Sequence, residues 1–127
     1  MHSDPIADMA TRMRNALRAD HESTKMPYSK VKELILEVLV SKTFVSSYSV
    51  VKEGKFEELK VVFNKKKKDL SFDRVSKPGQ RIYKKSQEIR QVQNGFGISI
   101  ISTSQGVMAG FEAHRKGLGG EIMLEVY

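Results

Sequence analysis

The chain has 127 residues, with 22 Lys or Arg against 15 Asp or Glu, and no cysteine. That length suits one ordinary domain or two small modules sharing a face, and a 39% apolar fraction supports a modest core but no deep enclosed pocket. Disulfides and thiolate metal sites are excluded, and His2, His21 and His114 lack ligand-like spacing. No cofactor or metal is implied, and no apolar run approaches a membrane span. The first ten residues carry two aspartates and no basic segment followed by an apolar run, so they do not read as a signal peptide. The expectation is a cytoplasmic protein with no membrane partner.

Asp4-Pro5 predicts a helix start, with Asp capping free amides and Pro in the first helical position. Ile6, Met9, Met13 and Leu17 then form one apolar stripe. Ser29 predicts a second helix, with a stripe of Val31, Leu34, Ile35, Val38 and Leu39 running to about Lys42. A brief strand fits between the helices near residues 24–26. Residues 44–53 and 55–63 read as a hairpin turning at Glu53-Gly54. The run Lys65 to Lys68 is too charged to pack and reads as a solvated loop at a module boundary. Beyond it, strands are expected over 70–75, 80–83, 96–103 and 106–109, with a turn at Lys77-Pro78-Gly79 and at most a short helix over 112–116. A closing strand over 121–127 turns Ile122, Leu124 and Val126 inward against Glu121, Met123, Glu125 and Tyr127. The fold class is α+β. It comprises two small α/β modules packed together, residues 1–64 as helix-strand-helix-hairpin and residues 65–127 as mostly antiparallel strands with a short helix.

The charge is unevenly spread. Residues 1–63 hold 10 Lys or Arg and 9 Asp or Glu, and residues 64–127 hold 12 and 6, so the second half carries +6 of the net +7. A surface of that sign attracts polyanions. Lys77 and Arg81 lie in its densest part, residues 65–90, and are candidate phosphate contacts. Tyr83 lies there too, placed either to stack on a base or to fill the core.

Enzyme chemistry finds no foothold. Gly95-Phe96-Gly97 lacks the third glycine of a dinucleotide fingerprint because position 100 is Ile. Ser104 lacks the flanking glycine of a nucleophile elbow because position 102 is Ser. Glu121 and Glu125 would share an exposed strand face rather than a cleft. The turn Ser102-Thr103-Ser104-Gln105-Gly106 is more informative. Three hydroxyls end a very apolar strand, either as simple termination or as small donor-acceptors able to approach the bases and 2′-OH groups of an irregular RNA. The +6 imbalance and this turn favour RNA binding, as a ribosome component or as a regulatory repressor, over a module whose basic surface binds an acidic protein.

Four stretches, in order, carry a resemblance. Asp4-Pro5-Ile6-Ala7-Asp8-Met9 with Thr11-Arg12 and Arg14-Asn15-Ala16 resembles the N-terminal signature of the bacterial small-subunit ribosomal protein numbered eight. Arg74-Val75-Ser76-Lys77-Pro78-Gly79 with Arg81-Ile82-Tyr83 resembles its central motif. Gly97-Ile98 through Ile101-Ser102-Thr103-Ser104-Gln105-Gly106-Val107-Met108 resembles its most diagnostic stretch, and Gly117-Leu118-Gly119-Gly120-Glu121 with Glu125-Val126-Tyr127 resembles its C-terminus. The resemblance implies a structural constituent of the small ribosomal subunit that binds the central domain of its RNA early in assembly and, in some bacteria, represses its own operon's message. It implies neighbouring small-subunit proteins as partners and a monomer when free. It assigns RNA contacts to Ser102, Thr103, Ser104 and the adjoining Gly106, with Tyr83 and Glu121 in the same module, and a second contact to Thr11, Arg14, Ser29, Lys30 and Lys55. The chain departs from the pattern in the short basic loop at Lys65–Lys68 and at Arg90, where Pro is common. It departs again at Ala109-Gly110-Phe111, which replaces a Thr-Asp helix start and predicts a weakly capped helix.

Overall fold

The computed structural model describes residues 4–127, and His2 lies outside them. The fold is α+β. It divides into two compact units, one of Asp8–Leu70 and one of Ser71–Tyr127 with residues 4–7. The division therefore falls at Leu70, and the basic run belongs to the first unit.

Helix α1 (Pro5–Arg18) starts where its cap dictates, with Asp4 Oδ1 accepting the Ala7 amide at 3.1 Å. Its buried face is Met9, Ala10, Met13 and Ala16. Strand β1 (Ser23–Pro27) leads to helix α2 (Lys30–Ser41), where Ser29 Oγ accepts the Lys32 amide at 3.2 Å. The buried stripe of α2 is Lys32, Ile35, Leu36 and Leu39, rotated from the apolar stripe expected, and Val31 is exposed. Lys32 tolerates this because its stem packs while its ammonium donates to the Pro27 carbonyl at 3.0 Å. Desolvation lowers its pKa, partly countered by Asp8. Strands β2 (Val45–Glu53) and β3 (Phe56–Phe63) form the expected hairpin, and β1 pairs with the other edge of β3. Its turn is Gly54-Lys55 rather than Glu53-Gly54, since Glu53 pairs with Phe56 and Gly54 takes a φ of +63°.

The basic run is a loop, as expected, exposed at Lys65, Lys66 and Lys68 and half-buried only at Lys67. Lys67 Nζ lies 4.3 Å from the centroid of the Phe44 ring and donates to Thr43 Oγ1 at 3.2 Å, and Lys68 pairs with Asp20 at 3.3 Å. Among the described residues the ammonium groups of Lys65 and Lys66 carry no such partner.

The second unit is a five-stranded antiparallel sheet. Its order is β4 (Phe72–Arg74), β8 (Gly120–Val126), β6 (Ile98–Thr103) and β7 (Gly106–Ala109), with β5 (Tyr83–Lys84) also paired to β8. The strand expected over 80–83 shrinks to Tyr83–Lys84 because Gln80 closes the Lys77-Pro78-Gly79 turn, each backbone bond to Lys77 measuring 2.9 Å. The short helix forms as α3 (Gly110–Arg115), without a side-chain cap at Ala109.

Strand β8 departs most from expectation. Ile100 pairs with Leu124 and Ile101 with Ile122, so Met123 is an extra residue, a β-bulge. Ile100 and Ile101 point to opposite faces of β6, and their partners must too. Ile122 therefore joins Ile101, Met108 and Ala113 on one face, while Leu124 points to the other, and Met123 is buried instead of outward. The same bulge separates Glu121, opposite Ser102, from Glu125, opposite Ser99. These glutamates do not share a face as the alternation suggested. Arg74, whose side chain is 9% exposed, braces the bulge: it donates at 2.8 Å to the Met123 carbonyl, which also accepts the Val75 amide at 3.2 Å, and it pairs with Asp4 at 3.1 Å.

In the first unit Tyr48 donates to Glu37 at 3.2 Å and to Glu33 at 3.5 Å, while Tyr28 donates to Glu33 at 2.9 Å. Burial, then the Glu37 carboxylate, pushes the Tyr48 phenol from 10.0 to about 12. Between those values the unfolded chain loses a proton that the folded one keeps, so this stabilisation is complete below pH 10 and is lost as pH rises toward 12. Tyr48→Phe is expected to lose stability less steeply than the wild type between about pH 10 and 11.5, measured by urea unfolding. Parallel declines would show that Tyr48 is not the group responsible.

Candidate nucleic-acid interface

The apolar run of β6 ends in a two-residue turn. Thr103 pairs with Gly106, leaving Ser104 and Gln105 at the tip, and Gly106 adopts a φ of +115° that only glycine takes readily. The three hydroxyls are not equivalent. Thr103 Oγ1 donates to the Gly106 carbonyl at 2.8 Å and accepts the Gln105 amide at 3.1 Å, so it is consumed in holding the turn. Ser104 is exposed, and among the described residues its side chain has no partner. Ser102 lies in the strand, opposite Val107 on one side and Glu121 on the other.

Residues directly opposite in neighbouring strands project to the same face. Tyr83 opposes Glu121 and Glu121 opposes Ser102, so the row Tyr83, Glu121, Ser102, Val107 crosses β5, β8, β6 and β7 on one face beside the turn. Tyr83 is 69% exposed, which removes it from the core and leaves its ring free to stack. Glu121 is held from the side: its Oε2 accepts Ser76 Oγ at 2.7 Å and Arg81 Nη1 at 3.0 Å. Ser76 is fully buried and also accepts the Ile82 amide at 3.1 Å. A fixed carboxylate offers acceptor positions to base amino groups or 2′-OH groups, and its pairing with Arg81 keeps the local charge from repelling phosphate. Gly120 is required for the row, because a Cβ there would collide with the Ser102 carbonyl.

The structure thus brings together Ser102, Thr103, Ser104, Gly106, Tyr83, Glu121 and Arg81. Lys77 sits in the preceding turn, exposed. The other unit holds the remaining candidates. Thr11 and Arg14 lie one helical turn apart on α1. Ser29 spends its hydroxyl on the α2 cap, and Lys30 pairs with Glu33 at 3.5 Å. Lys55 occupies the hairpin turn, and the Tyr28 amide donates to the Glu57 carbonyl at 3.0 Å, so Ser29, Lys30 and Lys55 share one end of the three-stranded sheet. Sequence reasoning missed Ser76 and Arg74 as positioning residues. Both stand in the central motif, but only burial reveals their role. Among the described residues no group of His, Asp or Glu could hold a metal, and no helix is long and apolar enough to cross a membrane.

The family model for ribosomal protein S8 matches residues 4–127. The chain belongs to the ribosomal protein S8 family. It is 43% identical to the small ribosomal subunit protein uS8 of Dehalococcoides mccartyi over 131 residues, covering the whole of both chains. It is 44% identical to that of a Nitratiruptor species over 134 residues, again covering both. Against that of Leptospira biflexa serovar Patoc it is 44% identical over 129 residues, 98% of each. A ribosomal-protein family is structural rather than catalytic, and the chain is not an enzyme.

The division of labour in the turn is testable. Thr103→Val keeps the shape and removes both bonds, and is expected to lower stability by about 1 kcal/mol in urea unfolding. Unchanged stability with lost RNA affinity would show that this hydroxyl faces a ligand instead.

Proposed function

We propose that the chain is a structural constituent of the small ribosomal subunit and a primary binder of the central domain of its RNA, read through the Ser104 turn and the row behind it. Family membership supports the ribosomal role. One observation carries the site: an exposed Ser104 hydroxyl, without a partner among the described residues, on a turn fixed from within by Thr103, beside an exposed Tyr83 and an immobilised Glu121. Small hydroxyls, a carboxylate and a ring suit unpaired or bulged nucleotides better than a regular A-form groove, whose base edges side chains read poorly. The surrounding Lys and Arg supply affinity with little sequence preference. Ser29, Lys30 and Lys55, with Thr11 and Arg14, form a second contact from the other unit. The protein acts in the cytoplasm, free as a monomer and assembled beside neighbouring small-subunit proteins. The same surface represses the chain's own operon message wherever that message folds into a similar irregular helix.

Truncating a hydroxyl that faces RNA strands a desolvated partner, an effect of about 1–3 kcal/mol. Ser104→Ala is therefore expected to weaken binding to the irregular central-domain helix roughly 5- to 150-fold. Binding to a scrambled RNA and the salt dependence should stay as they were, because no charge is removed. Filter binding at two salt concentrations checks this. Equal losses on both RNAs, or none on either, would contradict the assignment.

A further inference from the structure

The second unit carries an aromatic and basic surface that the Ser104 turn does not use. Phe111 is 72% exposed, a large ring on the first turn of α3. On a helix, residues three and four apart are neighbours, so His114 and Arg115 flank that ring. Lys116 follows directly. His114 Nδ1 lies 2.8 Å from the Ser86 carbonyl, which fixes the 3-10 turn Ser86–Glu88 against α3 and brings the segment carrying Lys84 and Lys85 beside it. Arg115, Lys116, Lys84 and Lys85 make no ion pair among the described residues.

This surface lies on the opposite side of the sheet from the candidate reading row. Ala113 of α3 packs with Ile101 and Ile122, whereas Ser102 and Glu121, their immediate neighbours in sequence, point the other way. Along the hairpin, Phe111 also sits past the end of β7 remote from the Ser104 turn, four strand residues away or about 13 Å. A single RNA helix lying on the Tyr83–Glu121–Ser102 row does not reach it.

We propose that Phe111, with Arg115 and Lys116, forms a second RNA contact of this unit: the ring stacks on an unpaired nucleotide and the cations hold the phosphates beside it. Exposed aromatics among unpaired cations suit single-stranded RNA, because every base offers a face and every linkage a charge. A protein seat would favour an apolar rim, and here the rim is cationic. The proposal rests on the RNA-binding reading above and adds to it a separate RNA segment, reached from the far side of the sheet.

Two RNA probes separate the two readings: the isolated irregular helix, and the full central domain transcribed as one RNA. Phe111→Ala removes an exposed ring, so the fold is expected to keep its melting temperature. It should bind the isolated helix like the wild type and the full central domain roughly 5- to 150-fold more weakly, whereas Ser104→Ala should weaken both. The chain has no tryptophan, so Phe111→Trp provides a sole tryptophan, selectively excited, whose fluorescence should be quenched by the full domain and not by the isolated helix. Equal binding of both RNAs by Phe111→Ala, with no change in Trp emission, would overturn the proposal. Normal RNA binding by Phe111→Ala with failed incorporation into subunits would overturn it in favour of a protein partner. If the wild type binds neither RNA, the RNA-binding reading fails and this one falls with it.

Discussion

The bulge at Met123, held by Arg74, is the constraint on which the second unit depends. Strand β8 pairs with β4, β5 and β6, so its twist and register set the position of every other strand but β7. A regular strand would send Ile122 and Leu124 to the same face. The extra residue sends them to opposite faces, so one strand supplies apolar side chains to both sides of the sheet while Glu121 stays in line with Ser102 and Tyr83. The Met123 carbonyl, pushed out of the ladder with β6, accepts both the Arg74 guanidinium and the Val75 amide, and the Asp4 carboxylate neutralises that largely buried cation. Asp4 also caps α1, so one residue terminates a helix and steadies the bulge.

From that framework the candidate site follows in steps. Ser76 and Arg81 immobilise Glu121, Thr103 fixes the turn from within, and Gly120 lets the strands close up. Ser104 and Tyr83 are left exposed on supports that are themselves satisfied. That is the arrangement preorganised recognition needs, since little side-chain freedom remains to be lost on binding.

Local signals made much of this legible in the sequence. The caps at Asp4 and Ser29, the Lys77-Pro78-Gly79 turn and the β6–β7 hairpin depend on neighbouring residues, and each forms where its residues predicted. What escaped depends on distant partners. Ile122, Leu124 and Val126 alternate perfectly, and nothing local announces that Met123 breaks the register. Lys32 looks solvated until Pro27 is seen beside it, and Lys67 looks repelled until Phe44 lies under it. The three hydroxyls look alike in sequence, and only geometry shows that Thr103 faces inward and Ser104 outward. Gly110 in the Ala109-Gly110-Phe111 helix start reads as the loss of a cap, whereas the exposure of Phe111 beside cations that make no ion pair among the described residues shows only in the structure.

In the proposed reading the Ser104 turn rests on one irregular helix of the small-subunit RNA. The chain has no cysteine, so Ser104→Cys is a single attachment point for an iron chelate that generates hydroxyl radicals in place. Bound to intact small-subunit RNA, this protein is predicted to cleave a short cluster of nucleotides within one irregular helix of the central domain. Cleavage spread evenly along the RNA, or confined to another domain, would contradict the account.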